Sequence, residues 1–378
     1  MGQRFSWKWL ALLAVVSGLT TAKSWALVKF NEGRDQIFIN ASVTIAHDSN
    51  ISSSQGGGGD FLTTTSVSIE YARRAGYIGV NASIAWNLGQ FGSNTAQNFS
   101  NPSMNLELVK SSGRATGSLT LSAARESRAD TVVNSRTDSW NYDAGLNWKY
   151  PVIDRYSLSG NFNYGMTSYQ NATPGIYNLT NYGASVDLFY VYTTERDLFS
   201  GYAINFGDSA AGTQTIDHSL TAGVSGRIIP KINGTVRAGY EIRQDSASKQ
   251  TYDSWTASSA VTWNMNKKVT FTGTLRKGFS TTATNATIDS LSANLGIHYS
   301  LTGRWSVFTD IGGGENDFLN GPLSGRIDYY YTWDAGVNYN LNDHLKASLT
   351  YSYYQSWSNR ALGNYSRDTI TLNLSTRW

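Results

Sequence analysis

From Ile37 onward the chain alternates apolar and polar residues over unusually long segments. Positions 232, 234, 236, 238, 240 and 242 are Ile, Gly, Val, Ala, Tyr and Ile, and positions 233 to 243 between and after them are Asn, Thr, Arg, Gly, Glu and Arg. Leu291, Ala293, Leu295, Ile297 and Tyr299 alternate in the same way with Ser290, Ser292, Asn294, Gly296 and His298. A period of two is the strand period, and it puts the two sets on opposite faces. About eighteen such segments of about ten to fourteen residues run from 37–46 to 366–378, with sixteen also compatible. Strands in soluble sheets average about five or six residues.

Several segments carry aromatics at both ends, eight positions apart: Trp140 and Trp148, Trp255 and Trp263, Tyr331 and Tyr339. Eight strand residues rise roughly 27 Å, or roughly 21 Å of height at a tilt of about 40°. That approaches the apolar band of an outer-membrane barrel, about 25 Å tall with an aromatic girdle at each rim. The last strand presents Ile370, Leu372, Leu374, Thr376 and the terminal Trp378 on one face. This ending resembles the terminal signature of such barrels, with Trp where Phe is usual. Connections alternate between tight turns, such as 151–155 and 228–230, and longer polar loops, such as 47–61 and 315–326. Short periplasmic turns and longer extracellular loops produce that alternation. The predicted fold is an all-β, transmembrane, antiparallel up-and-down barrel. A propeller, with four short strands per repeat, fits poorly.

The first 26 residues have the form of a secretory signal peptide. Arg4 and Lys8 precede the apolar Leu10–Leu19 run, and Ser24-Trp25-Ala26 is a small-x-small cleavage site. The expected organisation is a signal peptide (1–26), a short periplasmic segment (27–36) and the barrel (37–378). A leader of about ten residues is too short for the globular plug of a transporter barrel. The whole chain has 30 Lys and Arg against 27 Asp and Glu; without Arg4, Lys8 and Lys23 the two sets are equal. No concentrated basic face remains to suggest nucleic acid. There are no cysteines, which removes disulfides, thiolate metal sites and a lipidated N-terminal cysteine. No later apolar run reaches 18 residues, so no helical span is expected.

Candidate chemistry is sparse. His47 is read as following the first strand, His218 falls on the apolar parity, His344 lies in a tight turn, and His298 projects to the polar face. No nucleophile–base–orienter set accompanies them, so no enzyme and no cofactor is expected. Asp48-Ser49-Asn50 resembles part of a calcium loop but lacks the remaining ligands, and a solvated loop is the simpler reading. The polar face supplies the candidate lumen lining: Glu70, Glu107, Asp143, Asp187, Asp217, Arg237, Glu241, Arg243, His298, Asp310, Asp328 and Asp334. Inward aromatics are Phe189, Phe308, Tyr330 and Tyr354. Arg237, Glu241 and Arg243 alternate on one strand and are expected to neutralise one another. Basic residues crowd the short turns, where they meet inner-leaflet phosphates or draw anionic solutes to the mouth.

Phe38 to Val43 and Ala46-His47-Asp48-Ser49-Asn50-Ile51 resemble the first strand and loop of the putative β-barrel porin 2 family, with Asp48, Asn50 and Ile51 matching its aspartate-x-asparagine-isoleucine step. Leu121 to Arg125 is a looser match to its later repeats. The resemblance implies a porin-like integral outer-membrane protein of a Gram-negative bacterium. It also implies a role in exopolysaccharide export through the lumen, with periplasmic export components as partners. The residues themselves leave open a diffusion porin for small hydrophilic solutes, or a structural or adhesive barrel acting through its external loops. Outer-membrane lipids are the expected surroundings of its apolar face, and a monomer is the simplest assembly.

Overall fold

The computed structural model describes residues 28–74, 76–131, 133–170, 175–360 and 363–378. The proposed signal peptide, 1–26, lies outside them. The described chain is almost all strand. β1 (Val28–Phe30) is a short segment. The wall is built from β2 (Asp35–Asp48), β3 (Asp60–Arg73), β4 (Gly79–Phe91), β5 (Phe99–Lys110), β6 (Thr116–Asp130), β7 (Ser135–Ile153), β8 (Tyr156–Gln170), β9 (Leu179–Thr193) and β10 (Arg196–Ser209). It continues through β11 (Gln214–Ile229), β12 (Ile232–Asp245), β13 (Gln250–Asn264), β14 (Val269–Thr281), β15 (Thr287–Ser300), β16 (Trp305–Phe318), β17 (Ile327–Asn340), β18 (Leu345–Ser358) and β19 (Tyr365–Arg377).

Each wall strand pairs antiparallel with its sequence neighbours, and β19 closes on β2 from Thr369↔Asp48 to Arg377↔Asn40. Ile39 and Trp378 exchange two backbone hydrogen bonds of 3.0 Å at the end of that seam. The result is a closed barrel of eighteen strands, which leaves no free sheet edge in the lipid. The first wall strand begins at Asp35. Val28–Phe30 folds back onto it, Val28 opposite Ile37, and prolongs the line of β19 past the C-terminus.

One face stays bare. Ile84, Leu220 and Leu295 are 68, 67 and 69% exposed, and many other large apolar residues are nearly as open. In water so continuous an apolar surface would drive association; in a bilayer it is the solvated face. Trp148, Trp255 and Trp263 stand on it, and Trp305 stacks on Tyr339 at 4.3 Å. Trp148 lies over Gly160 of β8, where any Cβ would overlap the indole. Trp378 stacks on His344 of the β17–β18 turn at 4.3 Å.

Two seams part at the external end. β5 and β6 pair only from Ser103↔Ala124 to Lys110↔Gly117, and Pro102, which has no N–H, stands where the ladder stops. β13 and β14 pair only from Ala257↔Lys277 to Asn264↔Thr270. Above that point side chains replace the ladder: Thr256 Oγ1 donates to Lys277 O at 2.8 Å, and Glu241 Oε2 accepts from Phe279 N at 3.4 Å. The partings begin beside Trp140 and Trp255, at the outer girdle, where water can reach backbone groups. Beyond them β6–β7 and β14–β15 continue as hairpins that contribute to the external mouth.

Candidate functional site

The polar faces of the strands enclose the lumen, and their burial changes along its axis. On β12, Asn233 near the periplasmic turn is exposed, Thr235 to Gly239 are half-buried, and Glu241, Arg243 and Asp245 are 7, 4 and 3% exposed. β11 repeats the trend from exposed Arg227 to buried Asp217 and Thr215. Along β11 and β12 the lumen wall is open toward the periplasm and packed toward the exterior, whereas on β8–β10 Ser157, Asp187 and Phe199 are buried in the periplasmic half as well.

Loops from distant strands meet across the outer end. Arg136, on the β6–β7 hairpin, donates to Ile51 O of the β2–β3 loop at 3.3 Å and lies over the Phe91 ring at 5.0 Å. With its side-chain amide turned so that oxygen faces the donor and nitrogen the acceptors, Asn134 donates to Thr131 O and Ser53 O and accepts from Arg326 Nη2, at 3.0, 3.3 and 3.2 Å. Arg326 comes from the β16–β17 loop, on the other side of the barrel. That loop also sends Asn320 Nδ2 to Asp245 Oδ2 at 2.6 Å and accepts Asn359 Nδ2 on Gly325 O at 2.7 Å. Leu323 packs on Ala286, Ile288 and Phe318, of which Ala286 and Phe318 are fully buried. Tyr177 N donates to Ala283 O at 2.9 Å, tying the β8–β9 loop to the β14–β15 loop.

All twelve lumen candidates lie on the strand face opposite the exposed apolar residues, but their settings differ. Arg237 donates twice to Asp187, at 2.8 and 2.9 Å, and Arg243 twice to Asp217, both at 2.6 Å. Neutralisation therefore runs between strands and not along β12, because neighbours on one strand face diverge while flat-lying guanidiniums reach across. Arg237 spans β11 and β10 to reach β9. It can do so because Gly223 and Gly201 leave the wall bare: a Cβ at Gly201 would overlap the Asp187 carboxylate, and one at Gly223 would press on Phe199. Glu241 is held by Phe279 N, as above. Arg326 takes Asp328 at 2.8 Å. Arg377 takes Glu70 at 3.1 Å, and Asn81 takes Glu107 at 3.0 Å. Asp143 is exposed and accepts from Ser122 at 3.3 Å. Asp310 and Asp334 stand opposite each other on β16 and β17, both half-buried. His298 is exposed and stacks with Phe308 at 5.8 Å.

His47 lies within β2, on the lipid face, edge-on to Phe61 at 4.8 Å. Asp48 and Asn50 are not a solvated loop. Both are buried, with Asp48 bound by Arg367 Nη2 at 2.7 Å and Asn50 Nδ2 donating to Ser54 O and Ser366 O. Among the described residues no group of three or more His, Cys, Asp or Glu side chains is arranged to hold a metal. The basic periplasmic rim is partly engaged with backbone: Lys110, Lys231 and Lys268 donate to Ala115 O, Met265 O and Leu301 O.

Sequence parity could have placed Lys149 and Phe199 inside, since they share a face with Asn147 and Asp197. Phe189 and Phe199 pack with tilted rings, centroids 5.1 Å apart, with Lys149 over the first ring at 4.9 Å and Arg237 over the second at 4.5 Å. Arg326, Arg367 and Phe318 carried no such signal, because their roles depend on where loops meet.

Solved barrels share this architecture at low sequence identity. OpdK of Pseudomonas aeruginosa superposes with a TM-score of 0.51 at 11% identity, covering 90% of this chain and 99% of its own. OccK2 (OpdF) of the same organism gives 0.51 at 13%, covering 91% and 97%. OccAB3 of Acinetobacter baumannii gives 0.50 at 10%, covering 91% and 99%. At such identities the likeness is one of fold. Among curated proteins none matches the sequence. The model of the putative β-barrel porin 2 family matches residues 215–378, a stretch that excludes the Asp48-to-Ile51 step at the front of the barrel. The chain is thus an 18-strand antiparallel barrel of the bacterial outer membrane whose residues 215–378 carry the sequence pattern of the putative β-barrel porin 2 family.

Proposed function

We propose that this barrel is a channel for small hydrophilic solutes, wide at its periplasmic end and constricted by its own loops outside. The observation that carries this reading is the burial gradient along a continuous polar wall, from exposed Asn233 to buried Asp245. A barrel of about 18 strands has room for an aqueous channel, and flat-lying side chains such as Arg237 keep the wall low. Two barrels of the same fold were crystallised with small polar or acidic molecules, OpdK with vanillate and OccK2 with glucuronate. They support the solute reading over the wider cargo that the sequence resemblance implied.

Insertion of the purified chain into planar bilayers tests it. Discrete conductance steps that fall when sugars are added support a solute channel. Absence of conductance, both in the native chain and after Arg326→Ala and Asn134→Ala loosen the mouth, would leave the loop-acting structural barrel in its place. Export of a polysaccharide is the second reading, favoured by the lumen's opening toward the periplasm. Loss of surface polymer on gene deletion, with unchanged uptake of small solutes, would move the assignment to export.

A further inference from the structure

We infer that the periplasmic half of the lumen contains a subsite for a carboxylated sugar, with Lys149 as the residue that selects the carboxylate. The inference rests on the channel reading for its purpose but on separate residues for its evidence. A groove of about 560 Å³ runs along the inner wall of β5–β9, lined by Ser118, Asn147, Lys149, Ser159, Asn161 and Asp187 among others, with Lys110 at its turn end donating to Ala115 O at 2.6 Å. It lies within the range of small-ligand sites, about 300–1,000 Å³.

The charges in the groove are unequal in how firmly they are engaged. Asp187 is held by the two-pronged contact from Arg237. Among the described residues Lys149 has only Asp197 as an ion-pair partner, at 3.8 Å, and its side chain is 48% exposed while its ammonium rests over Phe189. An ammonium held that loosely can exchange its carboxylate for one brought by a solute, gaining a shorter charge-assisted hydrogen bond. Around it stand neutral groups suited to hydroxyls. Asn161 Nδ2 donates to Asn147 Oδ1 at 2.7 Å, which leaves the Asn147 amide nitrogen and the Asn161 carbonyl free to bond a ring substituent, with Ser159 beside them. One loosely held cation, two amides and a hydroxyl match a ring with one carboxylate and several hydroxyls better than they match a neutral sugar or a simple anion.

The test is calorimetric titration of the full purified barrel, in detergent, with glucuronate and glucose, which share ring hydroxyls and differ at the carboxylate. Glucuronate should bind about tenfold tighter, as exchange of the 3.8 Å Asp197 contact for a charge-assisted hydrogen bond supplies. Lys149→Gln should bring the two affinities together, Lys149→Arg should retain most of the preference, and Asn161→Ala should weaken both ligands alike. A Lys249→Gln control, in an external loop, should change nothing. Equal affinities in the native chain, or a preference that survives Lys149→Gln, would overturn the subsite. Binding does not require conduction, so glucuronate selectivity in a barrel that fails to conduct would uphold the subsite and reject the channel.

Discussion

The two ends of the lumen are made from the same residue types and behave differently. Toward the periplasm, Asn147, Lys149 and Asn233 are exposed on a wall that is fully laddered. Toward the exterior, Asp217, Arg243, Asp245 and Arg326 are buried where the ladder parts and loops converge. Water solvates the first set individually. The second set must satisfy itself, because a buried charge without a partner is costly. What differs is connection: inner-end residues line a surface, and outer-end residues hold a structure together. Substitutions should therefore cost stability at the outer end and alter solute traffic at the inner end.

The largest effect is expected at Arg243. Its removal as Arg243→Ala strands the Asp217 carboxylate and should destabilise the barrel by about 3–5 kcal/mol, read by urea unfolding in detergent micelles. The paired change Arg243→Leu with Asp217→Leu should recover most of that, since both charges leave together. Phe318→Ala, inside the Ala286–Ile288–Leu323 cluster, should cost about 3 kcal/mol and raise conductance as the β16–β17 loop loosens. Gly201→Val should cost about 2 kcal/mol by pushing Asp187 away from Arg237. At the open end, Asn147→Ala should change stability by no more than about 0.5 kcal/mol. A cost of several kcal/mol there would erase the contrast between the ends.

The lipid face was legible in the sequence because it depends on parity alone. Every strand from β2 to β19 overlaps an alternating segment, and Trp148, Trp255 and Trp263 stand on the exposed apolar face. Exceptions fall near the outer girdle: Asp253 and Asp368 share the lipid-facing parity and accept from the hydroxyls of Tyr240 and Tyr351. Parity also separated the charged face from the apolar one, but did not tell which carboxylate each cation takes. Arg237 finds Asp187 three strands away because two glycines clear the path, and that requires register as well as parity. The mouth was illegible for a stronger reason. Ser53, Asn134 and Arg326 come from three loops, and only closure of the barrel brings them together.

The chain's lack of cysteine permits the most direct test of the account. Ser258→Cys places one thiol on the inner face of β13, exposed and midway along the lumen. A bulky, membrane-impermeant maleimide should label it from the periplasmic side of opened cells and fail to reach it from outside intact cells. Adding Arg326→Ala and Asn134→Ala should make it reachable from outside. Equal labelling from both sides in the otherwise native chain would contradict a lumen open inward and constricted outward.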